Sequence, residues 1–132
     1  MNIGGEGPSR QGPQMCNDSI APGIAPIVFG LCEILGAKIV AYIGHEFETR
    51  AVREWAAGQR IPSDDITQRL QVAYYVAGLL HEREGKATVQ SWFQGLNPQL
   101  DDIAPAQALR DHPLEIATRE VVAAAHALSA VG

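Results

Sequence analysis

The stretch Ser63–Glu84, SDDITQRLQVAYYVAGLLHERE, decides how this chain folds. Ile66, Leu70, Ala73, Ala77 and Leu80 recur at steps of four, three, four and three. With 3.6 residues per turn, that spacing keeps all five on one side of an α-helix. Ser63 or Asp64 can cap its start, and Asp64-Asp65 puts acid where the helix dipole favours it. Glu84-Gly85-Lys86 breaks the pattern.

Toward the N-terminus, Arg60-Ile61-Pro62 is the exit from a shorter helix, Arg50 to Ala57, which Gly58 ends. That helix is expected to bury Val52, Trp55 and Ala56 and to expose Arg50, Arg53 and Glu54, with the Thr49 hydroxyl as its cap. A second short helix is expected over Ala37–Ile43, stopped by Gly44 as a left-handed C-cap. Before it, Pro26 suits a first helical turn, and Ile27, Leu31, Ile34 and Leu35 form one apolar stripe that ends at Gly36.

Toward the C-terminus, a helix is expected over Ala87–Phe93, stopping at Gly95, and Leu96-Asn97-Pro98 reads as a turn. Asn97 is expected to satisfy backbone groups within it. Pro105 opens a short helix through Leu109 and Arg110. Pro113 opens the last one, where Leu114, Ala117, Val121, Ala124 and Leu128 keep helical spacing. No segment alternates with period two and no Asn-Gly or Asp-Gly hairpin signal occurs, so the fold class is all-α with six or seven helices.

The bulk properties agree. The 132 residues are 46% apolar but only 6% aromatic, which favours close helix packing. The longest apolar run, Ile20–Leu35, is interrupted by Pro22, Gly23, Pro26, Gly30 and Glu33, short of the ~18 residues a membrane span needs. Residues 1–22 are rich in Gly, Pro, Gln and Ser and have no apolar stretch, which predicts a disordered tail rather than a signal peptide and hence a cytoplasmic protein. Cys16 and Cys32 match no zinc or redox spacing and read as reduced thiols.

Catalysis finds no support. His45, His81, His112 and His126 are scattered without metal-ligand spacing. Asp64-Asp65 reads as a helix start, Asp101-Asp102 as a loop, and the glycines at positions 4, 5 and 7 follow no strand. Neither an enzyme, nor a cofactor, nor a metal site is expected.

The net charge of −5 is unevenly spread. Residues 23–60 hold four acids and four bases, whereas residues 61–132 hold nine acids and five bases. That argues against unspecific nucleic-acid binding over the whole surface and confines a basic contact to the first half. Two short helices joined at Gly44 and followed by a longer one suit a helix-turn-helix, whose second helix enters a major groove. Arg50 and Arg53 lie one turn apart and could reach guanine edges, and Thr49 and Gln59 could bond phosphate or bases. Spacing alone leaves an ordinary solvated face as an equal reading.

The stretch Val52-Arg53-Glu54-Trp55-Ala56-Ala57-Gly58-Gln59-Arg60-Ile61-Pro62 resembles the end of the recognition helix in Xre-type repressors. Their pattern there is an aliphatic residue, a base, a Trp, a Gly three residues on and a Pro four further. Trp92-Phe93-Gln94-Gly95-Leu96-Asn97-Pro98-Gln99-Leu100, then Ile103–Leu109 and the alanine-rich Val121–Leu128, is similar to the C-terminal domain of Xre/MbcA/ParS-type antitoxins. Together the two resemblances cover roughly residues 30–130 in the family's order.

The resemblance implies an Xre-like helix-turn-helix bundle over residues 23–85 and a small helical toxin-binding domain over 86–132. It implies DNA contacts at Thr49, Arg50, Arg53, Gln59 and Arg60, with Trp55 and Gly58 structural. It also implies a toxin partner, commonly a RES-type enzyme that consumes NAD, met by Arg119, His126 and the end of the chain at Gly132. Glu46, Glu48 and Glu54 depart from a basic DNA face by offsetting those arginines. The resulting expectation is an antitoxin that restrains its toxin and represses its own operon by binding operator DNA. The alternative is a stand-alone helix-turn-helix regulator or phage-type repressor whose second half only dimerises. A homodimer is expected in both, through either the Ile27–Leu35 helix or the final helix.

Overall fold

A computed structural model describes residues 23–131; the expected disordered tail with Cys16, and the expected toxin contact Gly132, lie outside the described residues. Among the described residues seven α-helices follow one another: α1 Ala25–Leu35, α2 Ala37–Ile43, α3 Arg50–Ala56, α4 Asp64–Glu84, α5 Lys86–Gln94, α6 Pro105–Asp111 and α7 Leu114–Val131. A 3-10 turn, Pro98–Leu100, joins α5 to α6, and no strand occurs among the described residues apart from an isolated bridge between Asn97 and Ile103. The all-α class read from the periodicity is what the described residues adopt.

The long helix α4 is the centre. It packs against α1 on one side and α7 on the other, while α2 and α3 close over α1 and α5 and α6 complete the far end. Being covered twice, α4 buries a wider face than one stripe would supply. Val76 joins Leu70, Ala73, Ala77 and Leu80 inside, and Ile66 stays half-buried. Helix α1 is rotated likewise: Val28, Leu31 and Leu35 are buried, Ile27 and Ile34 only partly. The buried residues form one cluster from Val28 on α1 to Ala125 on α7.

The helix ends follow from local chemistry, with two departures. Ser63 caps α4, its hydroxyl accepting from the Ile66 amide at 3.2 Å. Gly58 leaves α3 at φ +76°, a conformation that disfavours any side chain. Thr49 does not cap α3: its hydroxyl instead accepts from Arg53 Nη1 at 2.6 Å, and its backbone is already helical. Gly44 is not left-handed either. Its φ is −86°, and the turn passes through His45 at φ +61°. Gly44 is needed for space, because a Cβ there would meet Trp55 Cη2 at 2.9 Å and Cζ3 at 3.0 Å.

Two arginines tie distant segments together. Arg69 on α4 is buried and donates to the carbonyls of Leu109 (2.9 Å) and His112 (2.6 Å) at the end of α6, with Asp65 on its Nε at 2.8 Å. Arg110 on α6 donates to the Tyr42 carbonyl at 3.0 Å, with its guanidinium 4.7 Å from the Tyr42 ring centre. Each places a cation at the negative dipole end of a helix: Arg69 on carbonyls that no backbone amide reaches, Arg110 on a Tyr42 carbonyl that already accepts from the His45 amide at 3.2 Å.

Candidate functional site

Helix α3 presents the expected DNA-facing residues on one outer surface. Val52 and Trp55 anchor it to the core together with Ala51. The opposite side carries Arg50, 81% exposed, and Arg53 one turn on. Glu54 sits between the cations. Its carboxylate meets Arg50 Nε at 3.4 Å and Arg60 Nη1 at 3.4 Å, so one acid bridges the helix and the exit segment. Arg53 is held over the start of the helix by Thr49. Gln59 is exposed at the C-terminal turn, its backbone amide donating to the Glu54 carbonyl at 2.9 Å.

The geometry therefore gathers Thr49, Arg50, Arg53, Gln59 and Arg60 around α3. The arrangement can contact phosphates, but Glu54 offsets its charge, and the exposed Glu48 and half-buried Glu46 border it. Exposed ion pairs of this kind contribute little to stability and are easily exchanged for other partners.

In the second half, Arg119 and His126 are exposed on α7 and seven residues apart, which puts them on one face two turns from each other. His126 Nε2 lies 3.4 Å from the Tyr75 hydroxyl on α4. Asn97 does hold its turn, its Oδ1 accepting from the Gln99 amide at 2.9 Å. Phe93, Leu100 and Leu109 are core, and Trp92 packs edge-on against Phe93 with ring centres 5.2 Å apart. A groove of about 420 Å³ opens between α2, α5 and α6, lined by Lys38, Ile39, Tyr42, Phe93 and Leu96.

Sequence reasoning missed Arg69, Arg110 and this groove. A signal existed for Arg69, which falls on the apolar side of α4 directly beside Leu70. Cys32 is a free, half-buried thiol whose pKa is raised by burial and then by the neighbouring Glu33 charge. Among the described residues no group of three or more His, Cys, Asp or Glu could hold a metal ion, and no helix is long and apolar enough to cross a membrane.

No family model matches the chain, and no curated protein does. Among solved structures, the chain is similar to one chain of the crystal structure of the M. tuberculosis MbcT-MbcA toxin-antitoxin complex. The likeness has 29% identity and a TM-score of 0.62, and spans 82% of this chain and 98% of that one. It bears out the resemblance to MbcA-type antitoxins carried by the Trp55–Pro62 and Trp92–Leu109 motifs.

Proposed function

We propose that this chain is a non-enzymatic antitoxin that binds and restrains a toxin protein. The observation that supports the reading most is the extent of the likeness: nearly the whole of one chain in a toxin-antitoxin complex is matched. The finer assignment rests on the sequence motifs. The second half, residues 86–132, carries the toxin contacts on α7 through Arg119 and His126 and at Gly132, and the partner is a RES-type, NAD-consuming enzyme. The acidic half of this chain would complement the basic, nucleotide-binding cleft of such a partner. Co-expression with a RES-type toxin encoded beside the gene is expected to relieve toxicity and to yield a complex on size exclusion. Failure of both would overturn the reading.

The α3 surface adds an operator-binding role. Two substitutions there are expected to act in opposite directions. Arg53→Ala removes a candidate base contact and should weaken operator binding by about 1–3 kcal/mol. Glu54→Gln frees Arg50 and Arg60 and removes a charge that repels phosphate. It should tighten binding about fivefold at low salt and steepen the salt dependence, because more counterions are released. Fluorescence anisotropy with operator DNA over a salt series reads both. An affinity unchanged in both folded variants would remove α3 from the DNA contact.

A further inference from the structure

The turn from Gly44 to Thr49 delivers the chain from α2 into α3, and so sets where Arg50 and Arg53 stand. Helix α3 has only seven residues and packs against α1 and α2. Among the described residues, His45 is the one turn side chain hydrogen-bonded to a distant segment, and it also makes the reversal, at φ +61°. The distant segment is the end of α6, in the second half. His45 Nε2 lies 2.8 Å from the Arg110 carbonyl; a carbonyl only accepts, so the nitrogen carries the proton and donates. Arg110 reaches back, its Nη1 donating to the Tyr42 carbonyl at 3.0 Å. Asp111 closes the group, its carboxylate 3.3 Å from Arg110 Nε and 4.0 Å from His45 Nε2. The two bonds cross the same gap in opposite directions. One bond fixes a distance; two between the same segments also fix their tilt. Thr49, at the other end of the turn, holds Arg53, so a turn that shifts carries Arg53 with it.

We propose that His45 and Arg110 are positioning residues for operator binding: a clasp from the second half holds the α2–α3 turn and thereby sets the aim of α3. The operator surface placed in residues 23–85 is then incomplete without residue 110. The inference rests on the operator-binding role given above to α3. Reading a base edge through Arg50 or Arg53 needs the helix at one fixed depth and angle in the groove, which a short helix entered through a loose turn does not keep. Neither His45 nor Arg110 needs to touch DNA for this. The competing role for Arg110 is a direct phosphate contact, because it also lines a groove with Lys38, Phe47 and Thr49 beside the candidate DNA surface.

The test is operator binding by the full chain, followed by fluorescence anisotropy over a salt series, with urea unfolding of each variant beside it. His45→Asn accepts the left-handed backbone as readily as His but cannot reach Arg110. Its stability should change little while operator affinity falls about fivefold, a divergence that a purely structural role would not give. His45→Gln puts an amide N–H near the position of Nε2 and should restore most of the affinity. Arg110→Met keeps an apolar stem against Tyr42 without any donor, and should also weaken binding about fivefold. The double variant His45→Asn, Arg110→Met should lose less than the product of the two, because either loss opens the same clasp. The salt slope should stay that of wild type in all of them, since no phosphate contact is removed. Wild-type affinity in the folded single variants overturns the clasp and leaves the operator role standing. An Arg110→Met loss with a salt slope shallower by about one overturns it in favour of a phosphate contact. A loss of affinity matched by unfolding in every variant overturns it in favour of a role in the fold alone. A wild type that binds no operator removes the inference together with the operator role.

Discussion

Arg69→Ala should lower the free energy of unfolding by about 4 kcal/mol, a large share of the ~5–15 kcal/mol available to a domain of this size. The side chain is only 10% exposed, and its removal has three consequences. Its bonds to the carbonyls of Leu109 and His112 are lost, and each carbonyl left dry costs about 1–3 kcal/mol. The end of α6 loses the cation facing its dipole. The Asp65 partner matters least, because that carboxylate is more than half exposed and simply returns to water. Arg69→Lys keeps the charge but offers one donor point in place of a planar fork, so it should recover about half of the loss. Asp65→Ala should cost less than about 1 kcal/mol. Urea unfolding followed by circular dichroism measures all three. A loss below about 1 kcal/mol for Arg69→Ala would mean that α6 is held by its apolar contacts alone.

The features that could be read in advance are those whose cause is local. Helix α2 spans the residues expected from its apolar spacing between Gly36 and Gly44, and α5 differs from expectation by one residue at each end. Pro105, Gly58 and Ser63 set boundaries through their own backbone or hydroxyl, so no distant residue was needed to find them. What escaped depends on neighbours far along the chain. Which side of α1 is buried depends on where α2, α3 and α4 lie, so Val28 replaced Ile27 in the core. Thr49 is a local exception: its backbone is already helical, and Arg53, only four residues on, takes its hydroxyl. Arg69 takes its meaning from carbonyls 40 and 43 residues away. The candidate DNA surface divides the same way. Arg50, Arg53 and Glu54 were expected to be exposed because helical spacing puts them outward, but the bridge from Glu54 to Arg60 arises only after the chain reverses at Gly58.

Trp55→Ala should be as damaging as Arg69→Ala, costing about 4 kcal/mol through lost burial and the cavity left behind. Trp55 is 2% exposed and lies against Gly44, so it joins α3 to the end of α2. Operator binding should disappear with the packing, whereas Arg53→Ala leaves the fold intact. Trp55→Phe isolates a second effect. The indole Nε1 is buried without a partner, which costs about 1–3 kcal/mol in the native protein. Phe loses volume but removes that orphan N–H, so the net loss should be about 1 kcal/mol. Gly44→Ala in the wild-type background should cost about 2 kcal/mol, because the new Cβ meets the outer edge of the indole. That edge, Cη2 and Cζ3, is absent from the smaller ring. Gly44→Ala should therefore be nearly silent in the Trp55→Phe background, giving a coupling of at least about 1 kcal/mol in a double-mutant cycle. Additive losses would mean that Gly44 is required for its backbone conformation, against its observed φ of −86°.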